Sequence, residues 1–153
     1  MQQKPTTRTE VLLFQAARAQ LIDEVIAPAL QQGTTVISDR SFWSSVAYQG
    51  YGRGCGVQTI RDLSDFAIGE ITPQRVYLLD IDPERALQRK STQKEETRFE
   101  AELLEFHRRV RVGFLEQAEI NRLYFRVLDA TKDPNSLHEE IYHDFQQMRQ
   151  KQN

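Results

Sequence analysis

An apolar run that passes directly into a helix start most constrains the fold of this chain. Residues 75–81, with the sequence RVYLLDI, form the strongest predicted strand. Asp82 follows as a helix N-cap, and Pro83 takes the first helical position, where its missing N–H leaves no helical hydrogen bond unmade. A strand that leads straight into a helix is typical of α/β proteins with a parallel sheet.

The remaining segments continue this alternation of helices and strands. Residues 34–38 and 124–128 are predicted strands. A capping-box spacing from Thr7 to Glu10 begins a helix that Gly33 ends. Further helices are predicted over residues 41–51, 57–68 and 99–121, and from Ser136 to about Gln150. We therefore expect an α/β fold with a parallel sheet, although three strands are few for a sheet buried on both faces.

The chain has the size and charge of a single globular domain. At 153 residues it is long enough to bury a core, and we expect residues 1–153 to form one domain. A formal net charge of -2 argues against a general electrostatic hold on nucleic acid or on an anionic membrane. No apolar run is long enough to span a membrane and no signal-peptide pattern opens the chain, so we expect a cytoplasmic protein.

Two charged residues stand at the carboxyl end of the predicted strand 34–38, where open α/β sheets bind their ligands. Asp39 can hold Mg²⁺ directly or through water, and the planar guanidinium of Arg40 suits phosphate oxygens. The local sequence gives equal weight to an ordinary surface ion pair at a strand end.

Phe14 and Arg18 lie four residues apart, and hence on one face of the first predicted helix. That face can offer a ring for stacking on a base and a guanidinium for the edge of the base. Taken alone, the pattern favours a simpler interpretation, in which the phenylalanine is core and the arginine is solvated.

Cations recur along a polar segment that has no apolar periodicity. They are Arg89, Lys90, Lys94 and Arg98. Cations on a loop can neutralise phosphoryl oxygens when a site closes, although a run of this kind is more often a solvated loop. The sequence contains no convincing metal-binding cluster and no Ser-His-Asp or Cys-His arrangement, and its single cysteine, Cys55, excludes an internal disulfide.

Five segments, in this order, resemble thymidylate kinase of the bacterial type. They are TRTEVLLFQAARAQ, VISDRSFWSSVAYQGYGRG, VYLLDIDPERALQRK, TRFEAELLEFHRRVRVGFLEQAE and RVLDAT. The resemblance implies transfer of the γ-phosphate of ATP to dTMP, giving dTDP, with Mg²⁺. It also implies a P-loop kinase fold, a three-layer α/β/α arrangement around a parallel sheet, and a homodimer.

The same resemblance assigns roles to individual residues on the dTMP side. Phe14 would stack on thymine and Arg18 would bond the edge of the base, with Ser45 facing the base as well. Tyr48 would lie beneath the deoxyribose, where its bulk disfavours a ribose 2′-OH, and Gln49 is a neighbouring wall position. The pair at the phosphates and the metal would be Asp39 and Arg40.

On the ATP side the resemblance predicts a lid over about residues 89–98, flanked by Arg89 and Arg98. Bacterial members of the family often carry the catalytic arginine in that lid. The stretch Ala130, Thr131 and Lys132 corresponds to the loop beside adenine.

The chain also departs from the family pattern. Residue 41 is Ser where the family usually has Tyr or His, and the lid is short and carries acids. The family's N-terminal strands and its phosphate loop would precede Thr6, and the sequence does not contain them. We therefore expect a truncated form with little or no activity alone. The alternatives are a catalytically inactive nucleotide-binding or dimerisation module and a nucleoside-monophosphate kinase with another base preference.

Overall fold

The structure is a computed structural model that describes residues 5–89 and 98–150, with the side chains described from residue 103 in the second range. The described helices are α1 Thr7–Leu21, α2 Ala27–Gln31, α3 Phe42–Ser45, α4 Val57–Ile68, α5 Pro83–Gln88, α6 Arg98–Ile120 and α7 Pro134–Gln150. The described strands are β1 Val76–Asp80 and β2 Phe125–Asp129, and two π-helical segments span Ile22–Ile26 and Val46–Gly52. No helix in the described ranges is long and apolar enough to cross a membrane.

The two described strands pair in parallel, as the alternation of helices and strands predicts. Val76 is opposite Phe125, and the register continues to Asp80 opposite Asp129. Successive side chains of a strand point to opposite faces. On one face, Phe125 packs edge-on against Trp43, with ring centroids 5.1 Å apart. The next pair, Tyr77 and Arg126, points to the other face. Both side chains donate hydrogen bonds to Asp144 of α7, at 2.8 and 3.1 Å. Helices therefore cover both faces, and the predicted three-layer α/β fold is confirmed.

The predicted strand over residues 34–38 is wrong in this structure. That segment is irregular, and Ile37 is 90% exposed. A single strand gains stability only when its backbone groups pair with a neighbour. The described sheet contains only β1 and β2, so residues 34–38 have no ladder partner among the described residues.

The Asp-Pro helix start is confirmed at Asp82, whose side chain accepts a hydrogen bond from the Glu84 N–H at 2.9 Å. The same device begins α7, where Asp133 accepts from the Ser136 N–H at 3.1 Å and Pro134 follows in the first turn. The prediction that Ser136 begins this helix is therefore wrong, because the aspartate three residues earlier caps the same amides.

The first helix begins one residue earlier than the capping-box spacing predicts. Thr6 is the N-cap, and its hydroxyl accepts from the Thr9 N–H at 3.3 Å. The helix widens to a π turn over Ile22–Ile26, just before Pro28, and α2 ends at Gln31, with the predicted Gly33 just after its C-cap. Gly33 has a φ of +73°, a conformation that glycine adopts without steric cost.

A small core fixes α1 against α3, α4 and the Val46–Gly52 segment. Val11, Val46 and Ile60 are buried together in one cluster. The Val46–Gly52 segment also approaches α6 closely, since a Cβ added at Gly113 would lie 2.6 Å from Cδ2 of Tyr51. These contacts hold the α1 surface that carries Phe14 and Arg18 beside the segment that carries Ser45 and Tyr48.

Candidate functional site

Arg18 of α1 and Ser45 of α3, both predicted to face the base, are in direct contact. Arg18 Nη2 donates a hydrogen bond to Ser45 Oγ at 2.8 Å. Ser45 is buried and Arg18 is half-buried. Desolvation by burial lowers the pKa of the Arg18 guanidinium. The contact therefore holds an oriented, partly desolvated cation, whose hydrogen bonds are stronger than they would be in water.

Two further residues complete this cluster, and neither was identified from the sequence. Gln15 Oε1 accepts a hydrogen bond from Arg18 Nη1, and Gln15 Nε2 donates to Ser64 Oγ at 3.0 Å. Gln15 is 6% exposed and Ser64 is 0% exposed. The apolar periodicity of the two helices could have indicated both residues. Gln15 lies in the buried stripe between Val11 and Ile22, and Ser64 lies in the stripe between Ile60 and Ala67.

Phe14 lies one helical turn before Arg18, and its side chain is 50% exposed. The simpler interpretation of the pattern, in which Phe14 is a core residue, is therefore wrong among the described residues. An accessible ring one turn from an oriented guanidinium offers a stacking surface and hydrogen-bond donors, a combination that can recognise a planar base.

Arg40 and Tyr48, predicted to face phosphate and sugar, also lie together. The Arg40 guanidinium carbon is 5.2 Å from the centroid of the Tyr48 ring, within the range of a cation–π contact. Phe106 and Phe114 of α6 flank the same ring edge-on, with centroids 6.1 and 6.2 Å away. Arg40 has a φ of +73°, which is uncommon for a residue with a side chain. The Arg40 guanidinium therefore lies over a ring that is packed against α6.

Asp39, the predicted Mg²⁺ ligand, is exposed beside Arg40. Within the described ranges, no group of three or more His, Cys, Asp or Glu side chains could hold a metal ion. Mg²⁺ in nucleotide sites is commonly held by one or two carboxylates together with waters and phosphate oxygens. A single accessible carboxylate next to Arg40, which is predicted to bind phosphate, fits that donor set, so the chemistry of Asp39 is compatible with Mg²⁺ that arrives with a nucleotide.

Gln49, predicted as a wall residue, uses its amide to hold α1. Its side chain is buried, and Nε2 donates to Glu10 Oε1 at 2.8 Å. Arg53 lies 3.9 Å from the other oxygen of the Glu10 carboxylate. Gln49 therefore anchors the Val46–Gly52 segment to α1, and its role as a wall position of the site stays a prediction.

The predicted ATP-side residues meet at the carboxyl ends of the strands. Arg89 Nη1 donates to the Ala130 carbonyl at 3.3 Å. The Thr131 N–H and hydroxyl both donate to Asp129 Oδ1, at 2.9 and 2.7 Å, and these bonds, the hydroxyl one first, lower the pKa of the Asp129 carboxyl. Lys132 pairs with Glu140.

Most of the predicted lid falls outside the described residues. Residues 90–97 lie outside the described residues, as does the side chain of Arg98, the first residue of α6. Arg89 is thus the one lid residue whose contacts are described.

A groove of about 240 Å³ runs between Tyr48 and the carboxyl end of β1. Arg111 closes one wall, with Nε and Nη2 donating to the two oxygens of Asp80 at 2.7 and 2.8 Å. Hydrogen bonds to Asp80 are the main cause of the raised pKa of Arg111. Because the Asp80 carboxylate is already paired with the Arg111 guanidinium, Asp39 is the better candidate for metal contact.

Comparison with known proteins shows which family shares this fold and sequence. A family model described as Thymidylate kinase matches residues 1–141. Thymidylate kinase from Nitratidesulfovibrio vulgaris (strain Miyazaki F) is 43% identical over 139 residues, which cover 86% of this chain and 65% of the relative. The enzyme from Deinococcus radiodurans is 46% identical over 133 residues, with 87% and 65% covered.

A solved structure agrees with these relatives. The crystal structure of thymidylate kinase from Ehrlichia chaffeensis matches with a TM-score of 0.72 and 28% identity, over 94% of this chain and 67% of that one. The fold of the described residues is the α/β fold of that structure. The chain belongs to the thymidylate kinase family, as its motifs predict, and it spans just under two thirds of the length of the curated relatives named above.

Proposed function

We propose that this protein binds dTMP and forms the dTMP side of a thymidylate kinase, which transfers the γ-phosphate of ATP to dTMP and yields dTDP. The observation that carries the proposal is the Arg18 guanidinium, held between Gln15 and Ser45, with the exposed Phe14 one turn earlier on the same helix. The family membership supports the same reaction.

The base end of the site follows from hydrogen-bond chemistry. A guanidinium only donates hydrogen bonds, and two of the Arg18 nitrogens each give one to a protein acceptor. The remaining N–H groups can serve an acceptor on a ligand, such as the carbonyl edge of thymine. Phe14 would stack on the base, and Ser45 keeps the arginine aimed at its edge.

The sugar and phosphate end follows from packing and charge. The Tyr48 ring is packed against Phe106 and Phe114, so it would present a fixed surface beneath deoxyribose and crowd a 2′-OH. Arg40 would bind the phosphate of dTMP, since its planar fork matches phosphate oxygens. Mg²⁺ at Asp39 would neutralise phosphate oxygens during transfer, and phosphoryl transfer needs from the protein mainly positioning and charge stabilisation.

The ATP end is less complete in this sequence. Arg89, Ala130, Thr131 and Lys132 would lie beside ATP, and Arg98 would act from the lid. The sequence contains no G-x-x-x-x-G-K-[S/T] motif, the loop that cradles ATP phosphates with backbone N–H groups and a lysine. We therefore expect the 153-residue chain to bind dTMP but to turn over slowly or not at all by itself. This absence favours the second candidate function, a nucleotide-binding or dimerisation module without activity.

A homodimer and a cytoplasmic location belong to the same proposal. Large apolar side chains on α1 and the following turn are exposed: Leu12, Leu13, Leu21 and Val25. Several large exposed apolar side chains on one element are a reason to test this helix as an interaction face. Size-exclusion chromatography with light scattering tests the dimer, and a monomer at every concentration would contradict it.

The function is tested by two measurements on the purified protein. Isothermal titration calorimetry with dTMP and with thymidine should show that dTMP binds more tightly, because only dTMP brings a phosphate to Arg40. A coupled assay for dTDP, in a preparation free of host kinase, should show little or no turnover. Absence of dTMP binding by folded protein contradicts the proposed site, whereas rapid turnover contradicts only the expected inactivity.

A further inference from the structure

We propose that Gln15 and Ser64 are positioning residues that orient Arg18 and thereby set the preference for a pyrimidine with a carbonyl at C4. This inference rests on the proposed function, because Arg18 selects the base only if the base binds beside it. Neither residue need touch the ligand. Both act through the direction in which they hold the guanidinium.

The chain of contacts begins in the interior. Ser64 is fully buried on α4, and its Oγ accepts from Gln15 Nε2 at 3.0 Å. Because a guanidinium only donates, Arg18 Nη1 fixes Oε1 as the end of the Gln15 amide that faces it, and the Ser64 contact anchors the other end of the amide in the interior. With the amide turned over, Nε2 would face Arg18 Nη1, two donors would meet, and a buried polar group would be left unsatisfied. The observed orientation is therefore the one that satisfies all three side chains.

The second anchor comes from a different element. Ser45 of α3 accepts from Arg18 Nη2 at 2.8 Å, while Gln15 of α1 accepts from Nη1. Two acceptors on two helices hold the plane of the guanidinium as well as its position. The remaining N–H groups then point in fixed directions, and binding a ligand need not freeze the long arginine side chain.

A guanidinium held in this way discriminates between bases by donor and acceptor pattern. Thymine presents a carbonyl oxygen at C4, which accepts a hydrogen bond, whereas cytosine presents an amino group, which donates. A freely rotating arginine could turn away from the amino group and lose little. An arginine fixed by Gln15 cannot, so cytosine would leave its donors facing a donor.

Substitutions at Gln15 separate this role from simple packing. Gln15→Met keeps the volume and removes both hydrogen bonds. Gln15→Glu keeps an acceptor for Arg18, and its carboxylate can accept from the Ser64 hydroxyl. We expect dTMP affinity to fall about tenfold in Gln15→Met, with dCMP affinity unchanged or higher, so that selectivity falls. Gln15→Glu should restore most of the selectivity.

Ser64→Ala offers a second variant that tests the same chain without changing α1. It should reduce dTMP selectivity in the same direction, because Gln15 Nε2 then loses its buried partner and the amide holds Arg18 less firmly. Gln20→Met is the matched control, since Gln20 lies on the same helix and is exposed. It should leave selectivity unchanged.

The experiment is calorimetric titration of wild type and the four variants with dTMP and dCMP, with circular dichroism to confirm folding. A loss of selectivity in Gln15→Met and Ser64→Ala, with recovery in Gln15→Glu, supports the proposal. Equal weakening of both nucleotides shows a merely structural role and overturns it, even if wild type binds dTMP. If Gln15→Met does not fold, Ser64→Ala decides the outcome. If wild type does not bind dTMP, both this inference and the proposed function fail.

Discussion

Arg18 Nη2 and Ser45 Oγ lie 2.8 Å apart, although 27 residues separate them in the chain. The contact joins α1 to α3 and orients a partly desolvated cation before any ligand enters. Preorganisation of this kind lowers the entropy lost on binding. The proposed dTMP site therefore depends on the planar geometry of Arg18 as much as on its charge.

Arg18→Lys tests that dependence. A lysine ammonium keeps the charge but lacks the planar fork that bridges two acceptors, so we expect dTMP affinity to fall by about tenfold or more. Calorimetric titration with dTMP measures the change. Arg8→Lys is the matched control, because Arg8 is an exposed arginine on the same helix. Equal dTMP affinity in wild type and Arg18→Lys would show that charge alone matters.

Arg40 should show a separation between stability and binding. Its φ of +73° costs free energy for any residue with a Cβ but not for glycine. We expect Arg40→Gly to be about 1 kcal/mol more stable to urea than Arg40→Ala. Both variants should bind dTMP more weakly while binding thymidine as wild type does. A thymidine affinity that falls as much as the dTMP affinity would count against a phosphate role.

Gly113→Ala should destabilise the protein, although alanine usually stabilises a helix interior relative to glycine by up to about 1 kcal/mol. The added Cβ would lie 2.6 Å from Cδ2 of Tyr51. Overpacking of this kind costs about 1–3 kcal/mol, measured as the free energy of unfolding in urea. In a Tyr51→Ala background the same substitution should be neutral or stabilising. Additive effects in the two backgrounds would refute steric conflict as the cause.

Tyr77 and Asp144 join the sheet to α7 and should make stability depend on pH at both extremes. The Tyr77 hydroxyl donates to Asp144 Oδ2 at 2.8 Å. Burial, and then the hydrogen bond to Asp144, raise the pKa of Tyr77 to about 12. The raised pKa means that the folded protein is stabilised at every pH below about 10, the pKa of tyrosine in the unfolded chain. This stabilisation is lost as the pH rises from about 10 towards the folded pKa. Tyr77→Phe should therefore flatten the loss of stability between about pH 10 and pH 12.

The acid side has the opposite sign. Burial raises the pKa of Asp144, but hydrogen bonds from Tyr77 and Arg126 and the charges of Arg75 and Arg126 outweigh it and lower the pKa. The lowered pKa means that the folded protein is stabilised at every pH above about 4, the pKa of aspartate in the unfolded chain. This stabilisation is lost as the pH falls through the pKa of Asp144 in the folded protein. Asp144→Asn should therefore lose stability at pH 7 and vary less in acid. Thermal melts across pH 2–12 on both variants give the measurement, and unchanged profiles would contradict the coupling.

Local signals predicted most of the fold, because caps and apolar periodicity act within a few residues. The Asp82-Pro83 helix start and both strands of the sheet follow from such signals. Residues 34–38 have the composition of a strand but no partner in the described sheet, and strand pairing is a long-range property. The Gln15–Ser64 bond was missed for the same reason, since 49 residues separate its partners.

The most direct test of the proposed dTMP site is a crystal structure of the protein with dTMP. The site described above predicts thymine against the Phe14 ring, its C4 carbonyl about 3 Å from an Arg18 nitrogen, and the phosphate beside Arg40. The Arg18–Ser45 hydrogen bond should remain in place. Thymine bound away from Phe14 and Arg18, or no bound dTMP in crystals soaked at millimolar concentration, would contradict it.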